Sequence, residues 1–229
     1  MDLKLSPQKA NKTCTFESMK KEPIRSKEKV ANALGKYLPE AFVDYVVTLF
    51  KESSVRFKIV PGRATKLGDF RAGMNGEKHT ITVNGDLNPY SFLITTVHEF
   101  AHLHTFNAYG NRVSPHGEEW KAAYRKLLLP LIDSSALPDD LRKALMNSLV
   151  RTKASSCSDH GLSRVLLNYD KPKDGVIVLE HLPKNSTFAL NGKHFVKGDL
   201  RRKRYICQEV KSKRSYLVNS LAQVIPLND

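Results

Sequence analysis

An α+β fold is predicted, in which a helix–small antiparallel sheet–helix module precedes a second, small module of antiparallel strands. Three observations predict it. Apolar residues recur at helical intervals before residue 51 and again after residue 88, while the stretch between them alternates as strands do. Beyond about residue 150, short β-type runs replace the helical spacing. The 229 residues, 41% hydrophobic and 26% charged, suffice to bury a core without disulfide staples.

The elements follow in order. Residues 1–26 are polar, lysine-rich and aperiodic, which predicts a disordered basic tail. Ala31, Leu34, Leu38, Phe42, Val46, Leu49 and Phe50 then mark one helical face, which Pro39 divides into two helices. Val55, Phe57 and Ile59 alternate with charged residues and predict a strand, closed by Pro61-Gly62. His79 to Val83, ending at Asn84-Gly85, predicts a second strand, and Leu67 to Gly73 a third. Small antiparallel pieces fit these spacings better than βαβ units. The segment NPYSFLITTVHEFAHLHTFNAYGN predicts the main helix, with Pro89 near its start and Gly110 as its stop. A further helix starts near Pro115 and ends by Pro130, with Trp120, Tyr124, Leu127 and Leu128 on one stripe. Another covers residues 138–149, where Asp139 and Asp140 suit the positive helix N-terminus.

After a linker from Lys153 to Gly161 come the runs VIVLEHL, STFALNGKHFV, RYICQEV, SYLV and AQVIPL. Asn191-Gly192 between two of them is a hairpin signal. The expected division is a tail (1–26), a first domain (27–150) and a basic β-rich module (151–229).

Cys14, Cys157 and Cys207 are odd in number and widely spaced, so no disulfide framework is expected and a reducing compartment is. With neither a signal-peptide core nor a run of about 20 apolar residues, the expectation is a cytoplasmic protein without a membrane partner. The net charge is +14, and residues 151–229 hold 15 Lys/Arg against 7 Asp/Glu. Such a block attracts polyanions such as nucleic acid; a solvated, solubility-promoting surface is the alternative.

One motif carries chemistry. His98-Glu99-Phe100-Ala101-His102 is an H-E-x-x-H sequence on the main helix. Residues four apart share a helix face, so two imidazoles can converge on one Zn²⁺. Glu99 is offset from both and is left free as the general base. A catalytic zinc site needs a third protein ligand, and His116, thirteen residues on at the start of the next helix, is the candidate. The surrounding helix is apolar nearly all round, so burying these polar groups costs several kcal/mol unless a metal compensates. His104 faces away from this site, His79 lies in a strand, and His160, His181 and His194 lack ligand spacing. Glu118 and Glu119 fit either support of the site or favourable helix-start charges. These roles predict a zinc-dependent peptidase, with a protein substrate.

VHEFAHLH, a third His opening HGEEWK, and the helix–sheet–helix order before them resemble the SprT-like family of zinc proteases, over about residues 28–150. The resemblance implies a zincin-like metalloprotease domain, zinc ligands at His98, His102 and His116, and catalysis at Glu99. Related members cleave proteins crosslinked to DNA, and DNA can stimulate them, so single-stranded or crosslink-bearing DNA is an implied partner. Many such chains end in a four-cysteine zinc ribbon. Here Cys157 and Cys207 each lack a neighbouring partner, so one catalytic zinc is expected, with a β module held by its own core. Within that module, Arg201, Arg202, Lys203, Arg204 and Tyr205 are the candidate nucleic-acid contacts, the cations for phosphates and the ring for stacking. A lysine-guarded strand edge explains the same residues without a ligand. A non-enzymatic nucleic-acid-binding protein with a metal-stabilised fold, and a hydrolase of non-protein amides, are the competing functions.

Overall fold

A computed structural model describes residues 14–17, 24–63, 65–74, 76–150 and 159–227. The chain divides into two compact units, Met1–Tyr169 and Asp170–Asp229.

The first unit begins with strand β1 (Cys14–Glu17), followed by helix α1 (Ile24–Leu34). Strand β1 falls inside the expected tail. It pairs antiparallel with β2 (Val55–Val60), with Phe16 opposite Phe57. Four residues carry no periodicity to read; the open edge of β2 supplies their hydrogen bonds. The remaining tail lies outside the described residues. Pro39 separates α1 from a 3-10 turn (Glu40–Phe42) and helix α2 (Val43–Lys51), as its fixed φ requires.

Strands β3 (Gly68–Arg71) and β4 (His79–Asn84) complete a sheet of order β1-β2-β4-β3. The expected antiparallel sheet is corrected here, because β2 and β4 run parallel, with Phe57 beside Ile81 and Ile59 beside Val83. From β2 the chain passes to the outer edge as β3 and only then returns as β4. That crossing reflects tertiary packing, which local alternation does not encode. Val55, Phe57, Ile59, Ile81 and Val83 share one buried face.

Against that face lies α3 (Pro89–Tyr109). Asn88 caps it, its side chain accepting from the Ser91 N–H at 2.9 Å, and Gly110 ends it at φ +62°. Phe92, Leu93, Val97, Phe100, Ala101 and Leu103 are all at 0% exposure, so the helix is central as its composition predicts.

Helix α4 (Glu118–Ile132) packs beside α3 through Trp120, Tyr124, Leu128 and Leu131. Pro130 was expected to stop it, yet the helix runs two residues further. The proline sits exposed in the last turn, and burying Leu131 and Ile132 outweighs the lost bond. Helix α5 (Asp139–Val150) follows.

Helix α6 (His160–Leu167) went unforeseen, and it moves the boundary. The linker expected there lies mostly outside the described residues. The Asp159 carboxylate accepts from the Gly161 and Leu162 N–H groups, a regular N-cap. Leu162 is buried at 1% in the first unit's core, and Asn88 Nδ2 donates to the Leu166 carbonyl at 3.0 Å. The unit therefore ends at Tyr169, not near residue 150.

The second unit is a six-stranded antiparallel sheet of order β5-β10-β6-β7-β8-β9. Its strands are β5 (Ile177–Val178), β6 (Thr187–Leu190), β7 (Lys193–Arg201), β8 (Arg204–Glu209), β9 (Ser215–Asn219) and β10 (Gln223–Pro226). Asn191 and Gly192, both with positive φ, form the β6–β7 turn. The core holds Leu179, Phe188, Phe195, Cys207, Val218 and Val224. Lys197, 3% exposed, adds an internal cation. Its ammonium donates to the carbonyls of Leu179, Glu180 and Leu182 and lies 3.9 Å from the Tyr205 ring centroid.

If α6 belongs to the first unit, Leu162→Ala should destabilise that unit by roughly 2–4 kcal/mol. Urea unfolding would measure this, and an unchanged midpoint would return the boundary to residue 150.

Candidate metal centre

His98 and His102 project from one face of α3, a turn apart. His116 comes from the turn before α4, two residues short of the helix. Its φ is +61°, in the left-handed region, and this carries the ring back toward α3. Gly117 follows as the helix N-cap. A Cβ there would lie 2.9 Å from the Ser114 carbonyl oxygen, so the tight turn needs glycine. The pairing of His and Gly in this segment thus has a steric cause.

The three Nε2 atoms meet. His102 lies 3.1 Å from His98 and 3.0 Å from His116, and His116 lies 3.2 Å from His98. Ligand atoms at 2.0–2.1 Å from one tetrahedral centre would stand about 3.3–3.4 Å apart, so the triangle fits a metal of zinc's size. Among the described residues, this is the one group of three or more His, Cys, Asp or Glu side chains that could hold an ion. Burial lowers the pKa of all three, to about 2 for His98 and about 4 for His102, with the neighbouring imidazoles adding to the effect there. The rings are therefore neutral near pH 7, the form in which imidazole binds a metal.

Trp120 forms the floor. Its ring centroid lies 4.7, 5.3 and 4.6 Å from those of His98, His102 and His116, and its other neighbour, Tyr124, stacks on it at 4.8 Å. This rigid apolar support orients the ligands and excludes water from beneath them.

Glu99 stands outside the triangle and is 4% exposed. Burial, reinforced by Asp69, raises its pKa to about 8, against the pull of Arg63, Lys66 and a hydrogen bond from the Phe70 backbone. Edge strand β3 presses on it directly. A Cβ at Gly68 would lie 2.5 Å from Glu99 Oε1 and 2.7 Å from Thr95 Cγ2. Sequence reasoning missed this role for Gly68; a glycine inside a strand, which marks close approach, was the available signal. The loop before β3 is clamped in turn. Arg63 Nε donates to Asn84 Oδ1 at 2.8 Å, and Asn84 Nδ2 donates to the carbonyls of Arg63 and Lys66.

The remaining candidates are placed elsewhere. His104 is half-buried, where Glu52 and Lys126 influence it. Glu118 is exposed and pairs with Lys121 at 2.7 Å, which matches a helix-start charge and not support of the site. Arg201, Arg202, Lys203 and Arg204 are exposed together at the β7–β8 hairpin, while Tyr205 turns inward onto Lys197.

Residues 10–132 match the SprT-like family, so the chain belongs to that family. Membership is consistent with a zinc metalloprotease-type domain, and the three histidines that could hold a metal ion lie within the matched region. Neither a curated protein nor a solved structure matches the chain. Among the described residues, no helix is long and apolar enough to cross a membrane.

Two outcomes follow from this geometry. Gly68→Ala should displace the Glu99 carboxylate, lowering any Glu99-dependent turnover by about 10²-fold while metal content measured by atomic absorption stays that of the unaltered chain. Glu99→Gln should stabilise the metal-free protein, and more so at high pH. The reason is that the Glu99 contribution, full below its ordinary value of 4.5, is lost as pH rises through about 8. Melting curves at pH 5 and pH 8 would show it; equal gains at both would refute the buried carboxyl.

Proposed function

We propose that this chain is a zinc-dependent metallopeptidase in which His98, His102 and His116 hold the ion and Glu99 is the general base. The observation that carries the reading is the convergence of three neutral imidazole nitrogens within 3.2 Å, beside a buried carboxyl that stays outside their triangle. An all-nitrogen triad suits zinc better than the hard, oxygen-seeking cations. When bound, zinc supplies Lewis acidity, polarising a carbonyl and acidifying water.

This chain's own residues do the rest. Glu99 accepts a proton from the attacking water and passes it to the departing amine nitrogen. The Phe70 backbone and Gly68 hold its carboxyl in one position. Trp120 and the helix core keep bulk water from the far side of the site.

Proteins on or crosslinked to DNA are the substrate we favour. The support is the excess of 15 Lys/Arg over 7 Asp/Glu beyond residue 150, with Arg201, Arg202, Lys203 and Arg204 exposed on one hairpin. Those cations would contact phosphates, while Tyr205, used internally, is left out of the contact.

Wild type and Glu99→Gln should be compared on casein and on a DNA-bound protein, with and without single-stranded DNA and a chelator. Cleavage by wild type alone, abolished by chelator and faster with DNA, is expected, and Glu99→Gln should keep its zinc. Full activity in Glu99→Gln would end the mechanism; cleavage indifferent to DNA would end the substrate assignment.

A further inference from the structure

The inward face of the sheet runs past the end of its helix cover. On β4, Ile81 and Val83 are fully buried, but His79, two residues earlier on the same face, is half-exposed. Phe70 of the edge strand β3, opposite Ile81, shares that face and is also only partly buried. Phe106 joins them from α3, one turn beyond His102 on the same side of the helix.

These rings form one surface that reaches the metal centre. The Phe70 ring stacks on His102 with planes 10° apart and centroids 6.4 Å apart. Phe70 lies 5.8 Å from both His79 and Phe106, and His79 lies 5.2 Å from Phe106. His79 Nδ1 accepts from the Gly73 N–H at 2.9 Å, which fixes the orientation of this ring. The surface is therefore aromatic. It continues from His102 on the same strand that holds Glu99. Three rings left only partly buried at this place keep some apolar area in water unless something covers it.

We propose that Phe70, His79 and Phe106 form a recognition wall beside the three imidazoles, which selects a large apolar or aromatic side chain of a polypeptide next to the bond to be cut. The proposal rests on the metallopeptidase reading and names its substrate preference. Rings prefer offset or edge-on ring partners, so Phe, Tyr, Trp, Leu and Met side chains suit the wall, and Asp, Glu and Gly do not. An apolar side chain against such a wall is worth about 10–200-fold in discrimination.

The test uses the full-length, zinc-loaded chain and has two arms. The first measures binding of acetyl-phenylalanine hydroxamate and acetyl-glycine hydroxamate, metal-directed ligands that differ only in the side chain, by calorimetry. The phenylalanine form should bind at least about 10-fold more tightly, and Phe106→Ser should shrink that ratio to about 2-fold, with Phe106→Leu in between. His79→Gln, at the outer end of the wall, makes the same comparison should Phe106→Ser lose its zinc. Equal binding of the two hydroxamates by wild type, or a ratio untouched by these substitutions, would overturn the wall. The second arm digests a mixed peptide pool and reads the cut sites by mass spectrometry, where apolar and aromatic residues should be enriched at one position beside the cut. Cuts without such enrichment would overturn the wall and leave the peptidase intact. No cuts at all, with the hydroxamate preference preserved, would overturn the peptidase and leave the wall.

Discussion

The first unit depends on one constraint: polar groups that must be buried on a helix whose central turns, Ser91 to Ala101, have no solvent face. Helix α3 is covered by the sheet on one side and by α4 on another, with His98 and Glu99 each only 4% exposed. Unpaired polar groups in such a place cost several kcal/mol. The surroundings offset this by construction. Trp120 packs against the imidazoles at tilted and edge-on angles, His116 closes the triangle from the next turn, and the Phe70 backbone supplies a hydrogen bond to Glu99. Each of these comes from a different element, so the order of helices and strands is what the site requires and not mere scaffolding.

The small sheet shows the same dependence from the other side. Strand β3 is an edge strand only four residues long, yet it approaches α3 closely enough that Gly68 has no room for a side chain. Two devices hold it there. One is its pairing with β4, Phe70 opposite Ile81; the other is the reciprocal clamp between Arg63 and Asn84. Without a parallel β2–β4 pair, the loop from β2 could not cross to the outer edge and deliver Gly68 over Glu99. The topology that the sequence pattern did not suggest is the one that positions the carboxyl.

Legibility in the sequence followed the range of the interaction. The four-residue spacing of His98 and His102, the Asn88-Pro89 start, the Gly110 stop and the Asn191-Gly192 turn are local, and each is where local rules place it. The third histidine was legible as a residue but not as a conformation, because its left-handed φ answers to the turn that Gly117 permits. Strand β1 was illegible, since its four residues are ordered by a partner some forty positions away. Helix α6 could have been found: Asp159 as a cap, with Leu162, Val165 and Leu166 at helical spacing, was in plain view beneath the polar stretch before it. Lys197 gave no signal at all. Its three carbonyl partners are fifteen to eighteen residues distant, and only folding brings them to one ammonium.

The pKa pattern of the centre adds a last consequence. Without an ion, burial keeps His98 and His102 neutral and holds a proton on Glu99 up to about pH 8. A protonated Glu99 is no base. The same burial that readies the imidazoles as ligands thus disarms the carboxyl. A positive charge nearby favours the ionised form of an acid, and most strongly where water is excluded. Glu99 would therefore release its proton when a divalent cation occupies the neighbouring triangle. In the mechanism proposed above, the charge of the bound ion is then what frees Glu99 to act as a base. Neutral imidazoles and a reluctant acid are then two results of one low-dielectric pocket.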